Sequence, residues 1–223
     1  MADMISTADL DALRHDYVAA QLAGNRRKAL EIVANLTTGH GLSASEVRDK
    51  IIAAAQREIG ALWQRNEISV AQEHMATAIS HLVLADLFQR DQTARPNGRK
   101  VIVACVEHEL HDFPARLVAD ELDVAGFDVR FLGANVPTDT LLSFIAREQP
   151  DLLVLSATMA FHADTVRHAV ERVQALFPNL PIAVGGLVCE WIRTFDQDLG
   201  VAIVGGTGAD LVRAATRLLR VTA

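Results

Sequence analysis

The side chains best equipped for chemistry lie together in Glu107-His108-Glu109-Leu110-His111-Asp112-Phe113-Pro114. This loop follows the apolar run Val101-Ile102-Val103-Ala104-Cys105-Val106 directly. Two imidazoles and three carboxylates therefore stand just beyond a strand end, where open α/β sheets bind their ligands. The spacing Glu109-x-His111 is the informative part. A carboxylate two residues from a histidine can hold the proton of one ring nitrogen, leaving the other basic and aimed at a metal. His108 has Val106 at the corresponding position and ranks below His111. Only one side chain is well placed as a direct ligand, so further donors would have to come from a macrocycle. The plainer alternative is a polar loop in which Asp112 caps the next helix and Pro114 sits in its first turn. The loop has no G-x-G-x-x-G, so a dinucleotide site is not expected there.

The elements that must position this loop follow from apolar periodicity. Apolar runs at 101–106, 129–132, 152–156, 181–184 and 201–204 alternate with helical stretches near 114–125, 138–148, 163–176 and 208–220. Short, unbroken Val/Ile/Leu runs are those of a parallel sheet covered on both faces. Residues 100–223 are thus expected to form a doubly wound, Rossmann-like or flavodoxin-like domain with five parallel strands. Residues 1–92 are expected to form a four-helix bundle. Its helices run from about Asp9 to Leu22, Arg27 to Leu36, Ser43 or Ser45 to Arg65, and from after Ser69 through Leu87. Ser69 with Gln72 has the form of a capping box. The polar segment 93–99, with Pro96 and Gly98, reads as an interdomain linker.

Composition narrows the classes. Twenty-eight acidic against 21 basic residues give a formal charge of -7, which argues against direct binding to nucleic acid or an anionic membrane. Cys105 and Cys189 make no disulfide framework, the N-terminus carries acids and no apolar core of a signal peptide, and no apolar run is long enough to span a bilayer. A cytoplasmic location is expected.

Two further strand ends carry small polar residues or glycine. Ser156-Ala157-Thr158 follows Leu152-Leu153-Val154-Leu155, and Gly185-Gly186 follows Ile182-Ala183-Val184. Alone, the first reads as a helix cap and the second as a turn. In order with Glu109-Leu110-His111, they resemble the signature of cobalamin-binding domains. That resemblance implies that His111 is the lower axial ligand of cobalt and that Glu109 is its partner. It also implies that Ser156 and Thr158 line a channel for the detached nucleotide tail, and that Gly185 and Gly186 let backbone approach the nucleotide. Two departures stand out: Glu109 replaces the usual aspartate, and Pro114 stands in place of the glycine that follows the histidine.

In the helical half, Trp63 is followed by nine residues and then Glu73-His74. This resembles the cap of light-sensing adenosylcobalamin regulators of the CarH type. The resemblance implies a photosensory module rather than an enzyme, with adenosylcobalamin held between bundle and α/β domain. Trp63 would shield the upper corrin face, Glu73 would accept from ribose hydroxyls, and His74 would reach cobalt after the upper ligand leaves. Without an output domain, the signal would pass to a separate signalling protein or through self-association. A photocobilin-like variant would add a linear tetrapyrrole such as biliverdin. Two other readings stay open. One is a corrinoid carrier protein for a methyltransferase system, and the other is a cobalamin-free interaction module.

Overall fold

Each bundle helix starts where a short polar side chain can satisfy otherwise orphaned amides. Helix α1 (Thr7–Leu22) is capped by the Ser6 side chain, which accepts from the Asp9 amide, and α2 (Arg26–Thr38) by Asn25, which accepts from the Lys28 amide. Helix α3 (Ala44–Val47) opens on a capping box between Ser43 and Glu46. It continues through a π-helical turn (Arg48–Ala53) into α4 (Ala54–Gln64), so the expected third helix is one run with a wider turn inside it. Helix α5 (Val70–Phe88) begins with the Ser69–Gln72 capping box, both of whose bonds are present. The computed structural model describes residues 6–191 and 199–221. They fall into two compact units that part between Asp91 and Gln92.

In the helical unit Leu36, Ile51, Ile52, Ile59, Ile79, Leu84 and Leu87 are buried. A polar group is buried with them. Gln21 Nε2 donates to Ser80 Oγ (2.6 Å) and to the Ala76 carbonyl (3.0 Å), and Tyr17 Oη lies 3.3 Å from Ser80 Oγ. Burial pushes the Tyr17 phenol up to about 12, against the opposing effect of the Ser80 hydrogen bond. Arg48, on the π-turn, forms a buried ion pair with Asp91.

In the second unit the strands are β1 (Lys100–Cys105), β2 (Asp128–Gly133), β3 (Leu152–Ser156), β4 (Ile182–Gly185) and β5 (Ala202–Val204). They form one parallel sheet in the order β2-β1-β3-β4-β5. The connecting helices are α6 (Phe113–Val124), α7 (Thr138–Glu148), α8 (Ala163–Leu176), a short α9 (Val188–Trp191) and α10 (Gly208–Leu218). Alternate residues of β1 enter opposite cores. Ile102 and Ala104 pack with Leu141, Ile145, Val166 and Val170, whereas Val101 and Val103 pack with Ala115, Leu122, Leu211 and Ala215. Both faces are covered, which is why the strands read as unbroken apolar runs. The sheet, the helical unit and their order along the chain are the expected fold class. The short α9 and a 3-10 turn at Ala160–His162 were not expected.

The segment expected as a linker is fastened along this second unit. Ala94 N–H donates to the Val124 carbonyl (2.8 Å) and Asn97 N–H to that of Gly126 (2.9 Å). Gly126, at φ +89°, lies so close that a Cβ there would stand 2.4 Å from the Arg95 carbonyl oxygen. Among the described residues no helix is long and apolar enough to cross a membrane.

Candidate functional site

Because the sheet is parallel, the loops after β1, β3 and β4 emerge at one edge, and backbone bonds tie them together. Val106 N–H donates to the Ser156 carbonyl (3.2 Å), Ala157 N–H to Gly185 (3.2 Å), and Val188 N–H to Ala157 (3.2 Å). Glu109 is at the centre of this edge, with no exposed surface. Its Oε1 accepts from the His111 amide (2.8 Å) and lies 2.6 Å from His111 Nδ1. Its Oε2 accepts from the Thr158 amide (2.6 Å) and the Met159 amide (3.3 Å), and His162 Nε2 stands 3.8 Å away. One carboxylate therefore joins the loop after β1 to the loop after β3. Burial pushes the Glu109 carboxyl up, but the bonds from the His111 ring and from the Thr158 and His111 amides outweigh it and hold it down to about 2. It is an anion at neutral pH. An anion on Nδ1 fixes that nitrogen as the protonated one and leaves Nε2 as the basic one. The His111 side chain is 46% exposed.

His108 is also exposed, but among the described residues no carboxylate bonds its ring. Its backbone is left-handed, at φ +68°, and its amide donates to Asn135 Oδ1 (2.8 Å). Asp112 occupies the N-cap position of α6, but its side chain makes no capping hydrogen bond, contrary to the plain reading of that residue. Pro114 is the second residue of α6, where its missing amide costs nothing. The substitution for glycine is thus absorbed by the helix start.

Ser156 is buried at the end of β3. Thr158 Oγ1 is buried without a hydrogen-bond partner among the described residues. Gly185 leaves 3.3 Å between a notional Cβ and the Val204 carbonyl oxygen. Gly186 has φ +93°, and a Cβ there would lie 2.1 Å from the Ala157 carbonyl oxygen. Packing between two strand ends therefore requires this glycine, whatever binds nearby.

The thiols do not enter. Burial, followed by the charges of Glu109 and Asp112, pushes Cys105 up to about 12, and burial with Glu190 pushes Cys189 up to about 11. Among the described residues no three His, Cys, Asp or Glu side chains are grouped to hold a bare ion. Three large apolar side chains are exposed on the same three loops: Leu110 (70%), Phe161 (71%) and Leu187 (45%).

In the helical unit, Trp63 lies half-buried in the last turn of α4. Glu73 and His74 lie in the first turns of α5. His74 Nδ1 is 2.6 Å from Glu73 Oε2, and Thr77 Oγ1 donates to Glu73 Oε1 (2.8 Å). Both Glu73 oxygens already have partners on α5, and the His74 side chain is 74% exposed. Sequence reasoning missed Met159, Asn135 and His162. Met159 acts through its backbone amide, Asn135 through its side-chain oxygen and its amide, and His162 is 53 residues from Glu109 with no pattern linking them. Asn135, in Gly133-Ala134-Asn135-Val136-Pro137, had a turn composition that could have flagged it.

Residues 99–216 match the family model of a B12 binding domain. The chain belongs to the B12-binding family. Residues 13–87 match a second model, also described as a B12 binding domain. The dimethylamine corrinoid protein 3 of Methanosarcina acetivorans is 25% identical over 219 residues, which is 95% of this chain and 99% of that protein. The HTH-type transcriptional repressor CarH of Myxococcus xanthus is 28% identical over 161 residues, 71% of this chain but only 52% of the repressor. The monomethylamine corrinoid protein of Methanosarcina barkeri has the same fold, with a TM-score of 0.76 at 20% identity over 95% of this chain and 99% of that one. This B12-binding chain is therefore a cobalamin-binding protein, and none of these relatives is named as an enzyme.

Proposed function

We propose that this chain is a corrinoid carrier for a methyltransferase system. What supports this most is similarity from end to end, through both units, to a dimethylamine corrinoid protein of almost the same length. When bound, a corrinoid supplies a cobalt that can take up and give away a methyl group. The chain's own residues supply the seat. His111 offers Nε2 to the metal, and Glu109 holds the ring by Nδ1 and is held in turn by the Thr158 and Met159 amides. The Thr158 hydroxyl, with Ser156 and Gly185, belongs in this reading to the channel for the nucleotide tail. Leu110, Phe161 and Leu187 offer apolar surface that a bound macrocycle would remove from water. The partner is a separate methyltransferase.

A second reading rests on a specific observation, the Trp63-x9-Glu73-His74 spacing and the similarity to CarH. In it the cofactor is adenosylcobalamin, Trp63, Glu73 and His74 serve its upper ligand, and light alters self-association or the binding of a signalling partner. A linear tetrapyrrole beside the cobalamin is a variant of this reading.

One experiment separates the two. The protein is loaded with methylcobalamin in one sample and adenosylcobalamin in another. A carrier gives up its methyl group in the dark to a thiol when a corrinoid:thiol methyltransferase is added, and its elution volume in sizing chromatography ignores green light. Light-dependent elution of the adenosylcobalamin form, without dark methyl transfer, would replace the carrier reading with the sensor.

A further inference from the structure

The loop carrying Glu109 and His111 is fixed from two sides, and the side nearer β2 has no part in the functions above. Strand β2 leaves regular pairing with β1 before its end, where the register jumps between Val103↔Phe131 and Ala104↔Gly133. A bulge of this kind re-aims the chain beyond it. Gly133 then turns at φ +76°, and Asn135 adopts the left-handed region at φ +51°. The turn it makes lies along the loop after β1 and bonds it repeatedly. Asn135 Oδ1 accepts from the His108 amide (2.8 Å), and the Asn135 amide donates to the Glu109 carbonyl (2.8 Å). The Val136 amide donates to the Cys105 carbonyl (3.3 Å), and the Thr138 amide to Glu107 Oε2 (3.4 Å).

Two left-handed residues other than glycine thus hold each other's loops. His108 would not adopt φ +68° without a reason, because a Cβ disfavours that region. The Asn135 side chain supplies the reason, by giving the His108 amide an acceptor in that conformation. Asparagine is among the few residues that tolerate the left-handed region and also carry a short acceptor. One residue beyond His108 begins the Glu109–His111 pair.

We propose that Asn135 is a positioning residue for the metal-holding loop: its side chain locks His108 in the left-handed conformation and so sets the backbone from which Glu109 and His111 project. It touches neither metal nor cofactor and acts through His108 and Glu109. The proposal rests on the reading of His111 as the cobalt ligand.

Two substitutions separate its parts. Asn135→Gly keeps the left-handed turn without strain and removes only the acceptor. Asn135→Asp keeps both. Full-length protein grown with 15N-histidine is titrated with hydroxocobalamin, then reduced to the cobalt(II) form, and its electron paramagnetic resonance is recorded. Nitrogen from a labelled histidine splits each cobalt line into two, and nitrogen from the cofactor's own base splits it into three. The expected result is that Asn135→Gly melts like the parent but binds about 3- to 10-fold more weakly, with the doublet diminished, while Asn135→Asp restores both. Parent-like affinity and a full doublet in Asn135→Gly would overturn the proposal. So would weak binding accompanied by an equal loss of melting temperature with the doublet intact, which marks a general loss of stability. If the parent itself shows no doublet, the His111 reading fails, and the role of Asn135 fails with it.

Discussion

His111→Ala removes a ring whose Nδ1 is bonded to a carboxylate out of contact with water, and with it the nitrogen that the proposed function assigns to cobalt. Cobalamin affinity is expected to fall more than about 10-fold in absorption titrations, and Glu109→Ala by about 10- to 100-fold, because an unsupported imidazole is a poorly oriented ligand. Parent-like binding by Glu109→Ala would show that the ring is held by something else. Thr158→Val leaves the Glu109 bond to the Thr158 amide intact and removes a buried hydroxyl that has no partner among the described residues. The apo protein should lose little stability or gain some, and a drop in cobalamin affinity alone would place that hydroxyl on the cofactor. The Glu109–His111 pair was legible in the sequence because its partners are two residues apart, within reach of each other in any turn. The other half of the Glu109 environment was not, since its amide donors come from 49 and 50 residues away.

Elements show the same division. The capping boxes at Ser43 and Ser69 lie within four residues and start their helices as their types require. The strands declared themselves by unbroken apolar runs. The π-turn at Arg48–Ala53 did not, and the Asp91 partner of its Arg48 lies 43 residues on, beyond the reach of local pattern. The Ser43–Glu46 box has a pH dependence. Lys50, then the Ser43 amide and hydroxyl, hold Glu46 down to about 2, from an ordinary value of 4.5. A depressed carboxylate contributes stability that is complete above about pH 4.5 and is lost as pH falls through about 2. Its side chain is nearly half exposed, so the contribution is under about 1 kcal/mol. Glu46→Gln should therefore narrow the difference between melting temperatures at neutral and acid pH, and an unchanged difference would count against the box. Gly186→Ala must force a Cβ into the Ala157 carbonyl at a left-handed backbone. It should cost more than about 2 kcal/mol in urea unfolding, and a neutral result would mean that the two strand ends separate easily.

At the scale of the whole molecule, sequence patterning gave both halves their architecture, because helical and strand periodicities change near residue 95. It did not separate carrier from sensor. Both proposed readings assign the cobalt to the same His111, and they differ in the role they give to Trp63, Glu73 and His74. Trp63, half-buried on α4, bears on that difference. Trp63→Ala is expected to leave the affinity for cobalamin unchanged in a carrier and to alter the photolysis rate of adenosylcobalamin in a sensor, as followed by absorption under green light. Beneath both lies a single claim, that a protein histidine at position 111 holds the cobalt. Electron paramagnetic resonance of the cobalt(II) protein labelled with 15N-histidine tests it most directly. The expected spectrum has each cobalt line split into a doublet that disappears in His111→Ala. A triplet from the cofactor's own base, or a doublet that survives the substitution, would contradict it.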